Sequence, residues 1–263
     1  MQFDKHMQWI GAVYAANLDL MKDMLKEDRT LANFTHESFD DPYRPVRLPV
    51  ATLLFAVAGA TDRPACQERR INFEMVKRLM KAGADPNIYS VHGRPLCAVR
   101  DEHLAHYLID HGADIDLWHG NGGSPLNFAV RQMDSERLGM LLRLGADPYQ
   151  VNPEDGSSML HTAAATLSND MNLADHLNII RMLGDAGVDP NGRTDGYVHS
   201  RKKTIGQEDT PLHTAAVGNM AAAVKTLLDI GCDPTVTNAK GETPLAVARR
   251  VHRDDEITSL LTF

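Results

Sequence analysis

The chain has 263 residues, 43% apolar and 24% charged, with a net charge of −8 at neutral pH. That acidity disfavours non-specific attachment to nucleic acid or to an anionic membrane surface. No run approaches the roughly 20 apolar residues needed to span a bilayer. Cys66, Cys97 and Cys232 lie far apart in sequence and show neither a disulfide framework nor a zinc-ligand spacing, which points to a reducing compartment.

Residues 1–10 carry Asp4, Lys5 and His6 where a secretion signal would be apolar, so they do not read as one. The first predicted helix pair runs from Trp9 to Lys26. Ala12, Ala15 and Ala16 line its first helix, and Leu20, Met24 and Leu25 its second. Leu31-Ala32-Asn33 follows. Residues 27–49 then form an unusually long opening, mixing Phe34, Phe39 and Tyr43 with Asp40, Asp41, Arg44 and Arg47. A segment of that length in a compact fold is expected to pack on the body or to carry function.

From Thr52 onward two phrases alternate. The first is Thr52-Leu53-Leu54-Phe55, then Arg94-Pro95-Leu96-Cys97, Ser124-Pro125-Leu126-Asn127, Ser158-Met159-Leu160-His161, Thr210-Pro211-Leu212-His213 and Thr243-Pro244-Leu245-Ala246. The second is Gly83-Ala84-Asp85-Pro86, then Gly112-Ala113-Asp114-Ile115, Gly145-Ala146-Asp147-Pro148, Gly187-Val188-Asp189-Pro190 and Gly231-Cys232-Asp233-Pro234. Starts are spaced 42, 30, 34, 52 and 33 residues apart, so the period is uneven. Residues 60–70 read as an insertion between two helices of one unit, with a smaller counterpart at 166–172. Val99 to Glu102 is an abbreviated turn before a helix from His103 to Asp110. Residues 192–209 read as a stretched hairpin carrying the basic run Arg201-Lys202-Lys203.

The unit from Thr210 to Pro234 is the clearest. Thr210-Pro211 opens a helix, with proline in the first turn where its missing N–H costs nothing. Leu212, Ala215 and Ala216 follow at helical spacing, and Gly218-Asn219 reverses the chain. Ala223, Val224, Leu227 and Leu228 line a second helix, and Gly231 sits where a helix-ending glycine belongs. Helix, turn, helix, glycine cap and hairpin in this order resemble the ankyrin repeat. The resemblance runs from about Trp9 to the end, in six copies of the motif.

The resemblance implies an all-α ankyrin-repeat solenoid of stacked helix-turn-helix units, with β-hairpin or loop connections. It further implies one domain over 1–263. The N-terminal cap is expected at about 8–33, repeats at about 48–87, 88–116, 117–150, 151–191 and 192–235, and a C-terminal cap at about 236–263. Leu245, Ala246, Ala248, Ile257, Leu260 and Leu261 would form that last cap's apolar side. The irregular repeats look like those of bacterial, phage or viral members.

No Gly-rich phosphate loop, Gly-x-Ser-x-Gly, His-Glu-x-x-His or Cys-x-x-Cys occurs. Gly120-Asn121-Gly122-Gly123 precedes a repeat start, so it reads as a hairpin turn. In the family, the histidines at the positions of His161 and His213 bond to hairpin backbone of the adjacent repeat. The aspartates 85, 114, 147, 189 and 233 are expected to accept backbone hydrogen bonds in their turns. Among His103, His106 and His111 only the first two share a helix face, and no third ligand is evident. No catalytic, metal or cofactor site is expected.

Ankyrin arrays resemble a cupped hand, with hairpin tips as fingers and first helices as palm, and members usually bind proteins there. The informative positions are hairpin residues that the scaffold does not require: Tyr89, Val91, His92, Trp118, His119, Asn121, Tyr149, Val151, Tyr197 and His199, with Arg201, Lys202 and Lys203. Tyr and Trp are enriched at binding hot spots. Alternatively, each aromatic packs on its own hairpin stem. The expected function is a non-enzymatic protein-interaction module, monomeric alone, acting as adaptor, inhibitor or effector. It would sit in the cytoplasm or be delivered into a host cytosol. A small-ligand or nucleotide-binding regulator is the alternative, and an enzyme built from the long insertions a more distant one.

Overall fold

The chain forms helix pairs at the predicted period. The computed structural model describes residues 2–37, 49–51, 66–89, 93–166, 172–194, 208–218, 220–251 and 255–262. The chain packs as two units, Met1–Leu117 and Trp118–Phe263.

In the first unit, α1 (Gln2–Tyr14) and α2 (Leu18–Glu27) form a pair, closed by a 3-10 turn at Arg29–Asn33. Next come β1 (Thr35–Glu37) and β2 (Pro49–Ala51), then α3 (Cys66–Ala82), the short α4 (Pro95–Ala98) and α5 (Glu102–Asp110). Helix α3 packs on α2 and on the 3-10 turn.

In the second unit, a 3-10 turn at Gly120–Gly122 precedes α6 (Pro125–Arg131) and α7 (Ser135–Arg143). Then come α8 (Met159–Ala165) with α9 (Leu173–Asp185), α10 (Pro211–Gly218) with α11 (Ala221–Asp229), and α12 (Pro244–Val251) with α13 (Asp255–Leu260). First helices pack in the order α6, α8, α10, α12. Second helices α7, α9, α11 and α13 form the parallel layer. Nearest-neighbour stacking of this kind is the ankyrin solenoid the sequence implied.

The helices begin as the repeated phrase demands. Ser124 Oγ accepts the Asn127 amide at 3.3 Å, with Pro125 in the first turn of α6. Asp101 caps α5 through the Leu104 amide at 2.9 Å, and Asp134 caps α7 through the Arg137 amide at 3.0 Å. Such caps are worth about 1 kcal/mol each. The helices end on glycine. Gly145 takes φ of 91°, its N–H reaches the Leu142 carbonyl and the Ala146 N–H reaches Leu141, so two orphan carbonyls are satisfied.

The core lies between the two layers. Leu212, Ala215, Ala216, Ala223, Val224 and Leu227 are all fully buried, as their spacing predicts. Leu228, Leu245 and Leu260 are only half-buried, and Ala246 is exposed. Those four sit at the edge of the apolar stripe, where helical spacing alone does not separate core from rim.

Two further expectations change. Helix α1 starts at Gln2, well before Trp9, and the buried set is Trp9, Ala12, Val13, Met21, Met24 and Leu25. Ala15 and Ala16 are in the turn, with Ala16 at φ of 50°, and Leu20 is half-buried. Helix α3 starts at Cys66, so 66–70 belong to a helix and not to the inter-helix insertion. The ends of the long opening are tied together, since β1 and β2 pair antiparallel with Thr35 opposite Ala51 and Glu37 opposite Pro49. This small sheet is an addition to an otherwise helical fold. The phrase at Thr52–Phe55 and residues 38–48, 52–65, 167–171 and 195–207 lie outside the described residues. Among the described residues no helix is long and apolar enough to cross a membrane.

Candidate functional site

The scaffold claims most of the tempting polar residues. His161 is buried at the start of α8. Its Nδ1 accepts the Ser158 amide at 3.2 Å, so Nε2 carries the proton and donates to the Asp209 carbonyl at 2.9 Å. His213 repeats the arrangement, with Nδ1 on the Thr210 amide at 3.2 Å and Nε2 on the Glu242 carbonyl at 2.9 Å. Burial pushes both pKa values down, against the opposing effect of these backbone bonds. Both rings are neutral clamps between repeats, as the resemblance implied.

Asn127 stands where these histidines stand in other repeats. Its Nδ2 donates to Thr162 Oγ1 at 3.2 Å, so it too reaches the next repeat. Gly123 makes this possible. It has φ of 72°, and a side chain there would collide with that of Asn127.

All five aspartates accept a backbone N–H two residues on. The partners are Asn87 at 2.8 Å for Asp85, Asp116 at 2.9 Å for Asp114, Tyr149 at 2.8 Å for Asp147, Asn191 at 2.9 Å for Asp189 and Thr235 at 2.8 Å for Asp233. Their role is to form these turns.

Sequence reasoning missed a second ladder. Asn33 donates to the Gly83 carbonyl at 2.9 Å and accepts the Asp85 amide at 2.7 Å. Asn87 does the same to Gly112 at 2.8 Å and Asp114 at 2.9 Å, and Asn191 to Gly231 at 3.4 Å and Asp233 at 2.7 Å. One side-chain amide thereby links a repeat to the next glycine-aspartate turn. The signal was present: Asn87 and Asn191 each lie two residues after an aspartate of the repeated phrase. His176 was also missed. It is buried on α9, and its Nε2 donates to the Ala163 carbonyl at 2.8 Å.

The hairpin positions divide. Tyr89 is 41% exposed, with the Arg94 guanidinium 5.8 Å from its ring centre, and Arg94 donates to the Asn87 carbonyl. Trp118 is half-buried and its indole N–H bonds to the Gly120 carbonyl at 3.0 Å, within its own hairpin. His119 forms an isolated bridge with Gly123, which makes Gly120–Gly122 the turn expected there. Tyr149 is 62% exposed, yet its hydroxyl donates to the Ala186 carbonyl at 3.0 Å. It occupies the place held by Asn87 and Asn191, so its hydroxyl takes over their repeat-bridging task. Val151 is 49% exposed and bridges Ser158. Val91, His92, Tyr197, His199, Arg201, Lys202 and Lys203 lie outside the described residues, as does the side chain of Asn121.

The stem of the 192–209 insertion is closed. The Thr194 amide donates to the Asp209 carbonyl at 3.2 Å, and Arg193 pairs with Glu208 at 2.8 Å. Asp209 is buried and its carboxylate accepts from Asn238 Nδ2 at 2.9 Å. At the end of α5, His111 Nδ1 bonds to the Tyr107 carbonyl at 2.7 Å, and His103 and His106 on α5 are exposed. Among the described residues no cluster of three His, Cys, Asp or Glu could hold a metal.

The helix pairs, glycine ends and histidine clamps define the class as an ankyrin-repeat fold. An ankyrin-repeat family model matches residues 207–239. The crystal structure of the ankyrin repeat domain of Bcl-3 superposes with a TM-score of 0.63 at 21% identity, over 97% of both chains. That of human ASB11 gives 0.61 at 19% identity, over 96% of this chain and 95% of the other. In sequence, mouse palmitoyltransferase ZDHHC13 is 32% identical over 202 residues, 67% of this chain. The chain spans about a third (32%) of that relative's length.

Proposed function

We propose that the chain is a non-enzymatic module that binds a protein partner through its hairpin tips and the first-helix face. The observation that carries this is where apolar surface is left uncovered. Of six exposed large apolar side chains among the described residues, three (Tyr89, Tyr149 and Val151) lie at hairpins. Exposed aromatics in such positions are favoured anchors for a partner. The structural relatives are ankyrin repeat domains, whose common use is protein binding, and this supports the same reading. Adaptor, inhibitor and effector are all compatible with it. The palmitoyltransferase activity in the mouse relative's name is not carried over, because the match spans a third of that protein. The expectation of a bacterial, phage or viral type rests on sequence impressions such as the uneven repeats and the Asp-Pro after the glycine, and the sequence relative named above is from mouse. A single domain over 1–263, monomeric in isolation and cytoplasmic, completes the proposal.

The test is an affinity capture from the native source with wild type and a Tyr89→Ser/Val151→Ser variant. Both side chains are exposed, so their loss should spare the core. Loss of the captured protein is expected. Retention of the same partner by the folded variant would sink the hairpin-tip reading.

A further inference from the structure

A basic groove runs between α2 and α3. It has a volume of about 640 Å³ and is lined by Lys22, Leu25, Lys26 and Arg29 from one side and Glu74, Lys77, Arg78, Lys81 and Ala82 from the other. Positions 22, 25 and 26 lie on one face of α2 and 74, 77, 78 and 81 on one face of α3, with Arg29 added from the 3-10 turn that follows α2. Among the described residues six cations and a single carboxylate therefore face one concavity, in a chain whose net charge is −8.

Two of the six have a partner. Lys26 pairs with Asp23 at 2.8 Å, and Lys77 with Glu74 at 2.9 Å while lying 4.5 Å from the Phe73 ring centre. Lys22, Arg29, Arg78 and Lys81 have no ion-pair partner among the described residues, and Arg78 Nε is shielded from solvent with no hydrogen-bond partner. Like charges on facing helices repel, and a solvent-shielded guanidinium N–H without an acceptor costs stability. Both penalties vanish when a multivalent anion fills the groove.

We infer that this groove is a binding site for a small, soluble, multiply phosphorylated anion. The volume falls within the roughly 300–1,000 Å³ of small-ligand sites. Among the described lining residues Leu25 and Ala82 alone are apolar in type. Arginine forks and lysine ammonium groups together suit phosphate oxygens. A flat anionic bilayer is disfavoured by the overall negative charge. The site is independent of the hairpin-tip reading.

The experiment is calorimetric titration and thermal unfolding of the full chain with inositol hexakisphosphate and with tripolyphosphate, at low and at high salt. Saturable binding that weakens with salt is expected. The Lys22→Gln/Lys81→Gln variant should bind at least about tenfold more weakly, a change of about 1.4 kcal/mol. Both side chains are exposed, so the fold is spared, and Lys225→Gln on α11 should leave binding unchanged. The inference is overturned if neither polyphosphate binds, or if the double variant binds as wild type does. It is also overturned if only a poly-glutamate peptide binds, or only phosphatidylcholine vesicles doped with a phosphoinositide.

Discussion

His213 and Glu242 join one repeat to the next, the imidazole Nε2–H donating to the Glu242 carbonyl at 2.9 Å while Nδ1 receives the Thr210 amide at 3.2 Å. One ring thus satisfies a helix start and a hairpin carbonyl at once. His213→Ala would leave both backbone groups without their partner and open a cavity beside α12. We expect a loss of about 2–4 kcal/mol in urea unfolding. A change below about 0.5 kcal/mol would show that the clamp is dispensable.

Acid should act through the same rings. Burial lowers the pKa of His161, His176 and His213. The unfolded chain, with ordinary histidines near pH 6.5, then binds protons that the folded chain refuses. Stability is unaffected above that pH and falls as the pH drops below it, by up to about 1.4 kcal/mol per pH unit for each histidine, until the folded-state values are passed. Glu242, whose carboxyl is held low by hydrogen-bonded Arg250, responds only further into the acid range. Urea midpoints measured at pH 7.5 and 5.5 should therefore fall markedly, and equal midpoints would contradict the neutral-clamp assignment.

Cys232 should be chemically silent in the folded protein. Its thiol is buried, donates to the Pro190 carbonyl at 3.2 Å, and is pushed up to about 12 by burial. Since the thiolate is the nucleophile, alkylation by iodoacetamide at pH 8 should be slow until urea unfolds the chain. Peptide mapping that finds Cys232 modified under native conditions, at the unfolded rate, is the contrary result.

Tyr149→Phe separates the two tasks of that residue. It removes the hydroxyl bond to Ala186 and leaves the exposed ring. A cost of about 0.5–1.5 kcal/mol is expected in unfolding, with partner capture retained. Tyr149→Ala should reduce both. If the Phe variant lost its partner while remaining folded, the ring would not be the binding element.

Replacing residues 195–207 by a short Gly-Ser linker should leave the fold intact. The ends are already held by Thr194 on Asp209 and by Arg193 on Glu208. A melting temperature within a few degrees of wild type is expected. Collapse of cooperative unfolding would mean that the insertion is part of the core.

The fold was legible because each repeat writes its own punctuation. Proline marks the first turn, glycine with positive φ marks the end, and small apolar residues mark the contact face. The histidine role was implied by the ankyrin resemblance, and the aspartate role by turn chemistry at the matching positions. The long opening was not legible as a β1–β2 tie, because three-residue strands carry no periodic signal of their own. Asn33, Asn87 and Asn191 went unread for another reason. They serve the neighbouring repeat rather than their own, and a pattern read along the chain does not display a bond across it. Tyr149 shares that cause, since its exposed aromatic ring masked a hydroxyl that does the work of an asparagine. The basic groove was hidden too, because Lys22 and Lys81 are brought face to face only by the packing of α2 on α3.

The asparagine ladder also sets how this protein ages. Asn191 is followed by Gly192, the pairing in which an unhindered backbone amide most readily attacks the side chain and releases ammonia. In the folded chain the Asn191 amide is held at both ends, and the Gly192 N–H is engaged by the Asp189 carbonyl at 3.3 Å. Cyclisation needs both groups at liberty. Conversion of this residue to aspartate therefore accumulates in proportion to time spent unfolded. Each conversion then removes a donor from the Gly231 carbonyl and sets a negative charge beside it, so past unfolding is written into the next repeat junction as a lasting weakness.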